Sequence, residues 1–236
     1  KSTVFNALTK LEVPALNYAF CTIEPNQGVV LVPDPRLAAV AEVSQPEILT
    51  GATIEFVDIA GLVEGASRGE GLGNQFLGHI REVDALAHVV RLFEAGDVVN
   101  TMEEINPLRD VQIIDLELIL ADLATVEKRI ERTTRFLKTG EAKYKEELQL
   151  LERYKEVLEK EIPIRRSDLP TLPDLTLLSA KPVMYILNTD EGETEIDASF
   201  KAWVEAEERA EIVLMAADFE RELTRLEQEE ASLFLA

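Results

Sequence analysis

Lys1-Ser2-Thr3 sets an ammonium and two hydroxyls at the opening of a helical pattern, and Asp58-Ile59-Ala60-Gly61 sets a carboxylate and a glycine behind an apolar, β-branched run. Such groups suit a polyphosphate and a divalent cation. Lys1 would neutralise the terminal phosphates, and Thr3, in the first turn, would add a backbone N–H from the helix N-terminus. The Ser2 hydroxyl is a hard oxygen ligand for Mg²⁺. Asp58 would hold the same ion directly or through a water, and the Gly61 N–H would meet the γ-phosphate. Each fragment is common by chance. The strand before Asp58 and the helix after Lys1 make the pair informative.

Thr22 stands in an aperiodic stretch between these fragments, where a threonine hydroxyl can complete the Mg²⁺ shell only while the γ-phosphate is present. After Gly61 the run Leu62-Val63-Glu64-Gly65-Ala66-Ser67-Arg68-Gly69-Glu70-Gly71-Leu72-Gly73-Asn74 has the glycine content of a loop with several accessible conformations. Its segment Gly69-Glu70-Gly71-Leu72-Gly73-Asn74 is the most specific string in the chain and resembles the Obg-related branch of P-loop GTPases. Asn17-Tyr18-Ala19-Phe20-Cys21-Thr22-Ile23-Glu24-Pro25-Asn26 resembles the YchF subfamily. So do Pro33-Asp34-Pro35-Arg36-Leu37, His79-Ile80-Arg81-Glu82-Val83-Asp84-Ala85 and Lys181-Pro182-Val183-Met184-Tyr185. The likeness covers most of the chain. It implies a Mg²⁺-dependent nucleoside triphosphatase that prefers ATP to GTP, releases ADP and works with the ribosome as a regulatory switch. It also implies a coiled-coil insertion and a C-terminal TGS domain, for which no segment after Asp218 is long enough.

Ras-like switches orient the attacking water with a glutamine after D-x-x-G, whereas Leu62 stands here and cannot hydrogen-bond. Hydrolysis is therefore expected to be slow. Asn100 occupies the place where the family often has an assisting histidine. His79 and His88 are the only histidines and read as helix-face and strand residues, not as a base. For the base, Asn188-Thr189-Asp190-Glu191 reads N-x-x-E where guanine readers have N-K-x-D. Adenine presents an acceptor at N1 where guanine presents a donor, so the longer Glu191 relaxes the demand for guanine, while Asn188 still contacts the purine. Asp190 is a competing reader if the loop register slips by one. Ala216-Ala217 takes the place of the short loop whose backbone backs the base.

The elements that must position these residues follow from periodicity. Ser2 to Leu11 reads as a helix; Gly28–Val32, Thr53–Asp58, Ala85–Leu92, Pro182–Asn188 and Glu211–Ala216 read as strands. Strands separated by helical segments imply a three-layer α/β fold with a mainly parallel sheet. From Asp110 to Ile162, Ile113, Leu116, Leu120, Leu123, Ile130 and Leu137, then Tyr144, Leu148, Leu151, Leu158 and Ile162, recur at three and four. With Thr139-Gly140 between them, they predict an inserted antiparallel coiled-coil hairpin, either a solvated insertion or a partner-docking arm. The expected organisation is a nucleotide-binding domain in two parts, 1–110 and 165–236, around an insertion over 111–164.

With 236 residues, 46% of them hydrophobic, the chain can bury a full core. A net charge of -21 argues against a broad nucleic-acid surface, so no DNA partner is expected. A single cysteine, Cys21, permits no internal disulfide, and no apolar run approaches the roughly 18 residues a membrane helix needs. A cytoplasmic protein is expected. Because the sequence opens at Lys1 without methionine, a G-x-x-x-x-G run is expected upstream. The reading from another class is a non-catalytic adaptor that works through the helical arm and carries a degenerate pocket, which Leu62 and Asn100 both permit.

Overall fold

The computed structural model describes residues 1–11, 25–59, 72–93, 105–137, 141–192, 195–208, 210–226 and 230. In chain order these form α1 (Ser2–Thr9), β1 (Asn26–Leu31), α2 (Pro35–Ser44), β2 (Thr53–Asp58), α3 (Leu72–Glu82), β3 (Leu86–Arg91) and α4 (Pro107–Phe136). There follow α5 (Ala142–Leu158), β4 (Val183–Asn188), α6 (Ala198–Trp203), β5 (Ile212–Met215) and α7 (Ala217–Leu223). Short 3-10 turns lie at Ile164–Arg166 and Leu178–Ala180, and α6 runs on into a π-helical turn at Val204–Glu208. The chain divides into two units, the first holding α1, β1, α2, β2 and α7, the second the elements from α3 to β5.

In the first unit β1 and β2 pair antiparallel, from Asn26 opposite Asp58 to Leu31 opposite Thr53. This departs from the parallel arrangement inferred for strands alternating with helices. The reason lies in α2, which sequence reading missed. Asp34 caps it by accepting from Arg36 N at 2.9 Å and Pro35 opens it, but it buries no residue. A short helix in which no apolar residue is buried, with Val40 and Val43 exposed, gives only a weak periodic signal, and with nothing buried on the sheet it does not act as a parallel crossover. On the other side, α1 approaches β1 closely. A β-carbon on Gly28 would sit 2.5 Å from Thr9 Cγ2 and 2.8 Å from Thr9 Cβ. That position therefore admits only glycine if α1 is to keep its seat.

In the second unit β3, β4 and β5 form a parallel sheet with β4 central. Tyr185, Ile186 and Leu187 are buried, as expected of a strand covered on both faces. Tyr185 and Leu187 join Val90, Val111, Phe200 and Val204 in one core, while Ile119, Val126, Leu151, Tyr154, Leu158, Ile164 and Leu177 make a second between α4, α5 and the segment after them.

The two long helices run in opposite directions: Phe136 stacks on Tyr144, Arg129 binds Glu147 at 2.6 Å and Glu127 binds Lys155 at 2.8 Å. Their bounds differ from expectation. α4 begins at Pro107 because Asn106 caps it, accepting from Arg109 N at 3.0 Å. Thr139-Gly140, expected to separate the two runs, lies outside the described residues. Leu151 and Leu158 are buried as the periodicity predicts, whereas Leu116 and Ile162 are exposed. The face of α4 that turns inward carries Asp115, Asp122 and Arg129, each seven residues from the next, with Val111, Leu118, Ile119 and Val126. Asp122 accepts from Leu178 N (2.8 Å), Ser179 N (2.7 Å) and Ser179 Oγ (2.6 Å). An apolar period cannot reveal a seam in which charged residues are interleaved with apolar ones.

Where α4 meets the returning chain, Arg165 donates to both Asp115 oxygens at 2.7 Å and to Glu208 at 2.7 and 2.9 Å. Arg166 completes the cluster on the same two carboxylates and lies 4.9 Å from the centre of the Trp203 ring. Nearby, His88 of β3 packs against the Tyr185 ring at 5.8 Å. Burial, reinforced by the Arg165 charge and opposed by Glu208, pushes the His88 pKa down to about 4. A folded pKa below the unfolded one leaves stability intact above the unfolded value and removes it as pH falls toward the folded value. Thermal melts from pH 7 to pH 4 (about the span between unfolded and folded values) should therefore show wild type losing more stability than His88→Gln. Parallel pH curves would refute it.

Candidate functional site

Val4, Phe5 and Ala7 bury one side of α1 and hold its N-terminus next to the end of β2. Asp58 is the last residue of that strand and only 4% exposed. Ser2 Oγ donates to Asp58 Oδ2 at 2.9 Å, and Lys1 Nζ lies 3.1 Å from Asp58 Oδ1 while donating to the carbonyl of Ile59. Lys1 and Ser2 thus meet Asp58, 57 and 56 positions later in the sequence, through side chains. The N-cap residue of α1, Lys1, makes no side-chain cap, which leaves the first-turn N–H groups, Thr3 included, without the usual capping oxygen from that position.

This donor set fits a hydrated Mg²⁺ and a polyphosphate. Ser2 and Asp58 bring hard oxygens to one point. Asp58 Oδ1 is buried and, although Lys1 neutralises it, accepts no well-directed hydrogen bond. A desolvated carboxylate oxygen with that vacancy has unused coordinating capacity. Lys1 is 38% exposed at its side chain, so its ammonium can exchange Asp58 for a ligand at modest cost.

Asn26 was not anticipated. It opens β1 directly opposite Asp58, and its Nδ2 is buried without a hydrogen-bond partner. Only the strand register puts the two together, and no spacing in the sequence marks it. Thr22 and Gly61, the other residues expected at the phosphate, lie outside the described residues, as do Leu62 and Asn100.

The residues expected to read the base sit at the carboxyl ends of the parallel strands, the edge where ligands settle on open α/β sheets. Asn188 ends β4 between Arg91 and Met215 and is 7% exposed. Its carbonyl accepts from Leu92 N at 2.8 Å, and Thr189 N donates to Met215 O at 3.0 Å. Glu191 and Asp190 follow in an exposed turn before Gly192, whose φ is +83°. Ala216 follows β5, and Ala217 is fully buried at the start of α7. His79 lies on α3 and His88 within β3, both as read from the sequence.

The family described as "50S ribosome-binding GTPase" matches residues 1–122. The chain is 46% identical over its whole length to the ribosome-binding ATPase YchF of Haemophilus influenzae and 42% identical to that of Bacillus subtilis, covering 67% of each. The structure of the Schizosaccharomyces pombe YchF GTPase superposes with a TM-score of 0.77 at 35% identity, over 99% of this chain and 66% of that one. The chain thus spans about two thirds of the length of these relatives. With a motif pair that closes in space and a parallel sheet ending in N-x-x-E, it belongs to the YchF family and has the P-loop GTPase fold.

Proposed function

We propose that this protein is a Mg²⁺-dependent nucleoside triphosphatase that takes ATP in preference to GTP and serves as a ribosome-associated regulatory switch in the cytoplasm. The observation that carries the reading is the convergence of Lys1 and Ser2 on the buried carboxylate of Asp58. Lys1 moves from Asp58 to the β- and γ-phosphates; Ser2, Asp58 and, when the switch is loaded, Thr22 provide metal oxygens. The bound Mg²⁺ supplies charge neutralisation for the polyphosphate. Gly61 donates its N–H to the γ-phosphate, and Leu62 leaves water positioning to another group, so turnover is slow. Asn188 holds the purine, Glu191 relaxes the demand for guanine, and Ala216 and Ala217 back the base.

In this reading the helical pair is a coiled-coil insertion over 111–164 between the two parts of the nucleotide-binding domain, 1–110 and 165–236. The ribosome as partner rests on what the relatives are named for. A cytoplasmic location agrees with the finding that, among the described residues, no helix is long and apolar enough to cross a membrane.

Competition titrations on the purified protein, with ATP, GTP and their diphosphates displacing a fluorescent nucleotide, address the base. ATP is expected to bind at least about ten-fold tighter than GTP, the scale of one lost or clashing buried hydrogen bond. Equal or inverted affinities would defeat the assignment of Asn188 and Glu191. A protein that binds no nucleotide at all would return the chain to the adaptor reading.

A further inference from the structure

Asn26 and Asp58 are directly opposed in the β1–β2 ladder. Opposed residues of an antiparallel pair project to the same face with β-carbons about 5 Å apart. Gly28, two residues on from Asn26 and therefore on that face too, lies against Thr9 and Leu11, so this is the face that α1 covers. A buried amide donor, Asn26 Nδ2, and a buried acceptor, Asp58 Oδ1, thus lie side by side under α1, each without a hydrogen bond. Among the described residues only the Lys1 ammonium, 3.1 Å away, balances that oxygen.

From this we infer that Asn26 is a positioning residue of the metal–phosphate site, which takes over Asp58 Oδ1 when Lys1 leaves it for the polyphosphate. The inference rests on the nucleotide reading above. One ammonium has three N–H donors and cannot serve Asp58, the Ile59 carbonyl and two phosphates together, so loading draws Lys1 away from Oδ1. Ser2 continues to donate to Oδ2, and Asn26 donates to Oδ1. The carboxylate is then held at both oxygens with its plane fixed, which keeps its lone pairs directed at a hydrated cation. Partners that orient a ligating carboxylate commonly change metal affinity by about 10- to 100-fold when removed.

The test follows binding of a fluorescent ATP analogue to wild type, Asn26→Ala and Asn26→Ser, across a Mg²⁺ titration and in excess EDTA. Asn26→Ala should need about ten-fold more Mg²⁺ for half-maximal enhancement of nucleotide binding. Its affinity in EDTA and its ligand-free melting temperature should match wild type, and Asn26→Ser, which keeps a donor, should recover part of the loss. A wild-type Mg²⁺ dependence in Asn26→Ala would overturn the inference, as would equal weakening with and without metal. A wild type whose nucleotide binding ignores Mg²⁺ would instead bring down the nucleotide reading, and this inference with it.

Discussion

Lys1→Ala is expected to lower ATP turnover by about two to three orders of magnitude, the usual cost of removing one preorganised charge from a developing transition state. The developing charge in phosphoryl transfer sits on the phosphate oxygens, and little covalent chemistry is left for the protein to perform, so a lost ammonium is felt directly. The fold should tolerate the change. Lys1 is partly exposed, α1 keeps Val4 and Phe5 in the core, and Ser2 still holds Asp58 at 2.9 Å. Single-turnover phosphate release with saturating Mg²⁺ and ATP measures the effect, with a melting curve as the check on folding. Equal rates for wild type and Lys1→Ala, whether both fast or both null, would remove Lys1 from the chemistry; both null would favour the adaptor.

The largest effect on stability is expected at Arg165. Its guanidinium, 7% exposed, bridges Asp115 and a Glu208 side chain that solvent does not reach. Arg165→Met keeps the volume and removes the charge, which strands two buried carboxylates on Arg166 alone. Breaking a buried pair in this way costs about 3–5 kcal/mol, or roughly a 10 °C fall in melting temperature for a chain of this size. The pH dependence has a definite sign. Burial alone would raise Glu208, but its bonds to Arg165 and Arg166 hold it below the usual carboxylate value, so its contribution is lost as pH falls through the folded pKa. Burial already pushes Asp115 up against the pull of Arg165. Without Arg165 both carboxylates move upward, and the variant gains relative stability on acidification as they take up protons. Melts across pH 7 to about 4 should therefore show the gap between variant and wild type narrowing; a constant gap, or a loss below about 1 kcal/mol, the range of exposed pairs, would mean the cluster is not the buried clamp described.

Much of this architecture is legible in the sequence. Thr53–Asp58 is a strand over the residues predicted. Pro182–Asn188 differs from β4 by one residue, because a strand buried on both faces must be apolar throughout. The meeting of Lys1 and Ser2 with Asp58 was expected for a different reason: few residue types suit a polyphosphate with a hard cation, so candidates for one such site must converge.

Other features had no local signature. α2 is short and buries no residue, so only a weak period announced it. Asp115, Asp122 and Arg129 line the inward face of α4 where apolar residues were expected, because their partners Arg165, Ser179 and Glu147 arrive from later in the chain. A buried charge is tolerated only with its partner in place, and that partner is a tertiary fact.

The sequence by itself determined which groups could meet a phosphate and a cation, since those are set by functional-group chemistry, and which central strands would be buried, since those are set by hydrophobicity. Only the tertiary structure decided that Asn26 stands opposite Asp58, that β1 and β2 run antiparallel, and that a polar seam ties α4 to the returning chain. Register and long-range ion pairing depend on contacts between segments that no local pattern records.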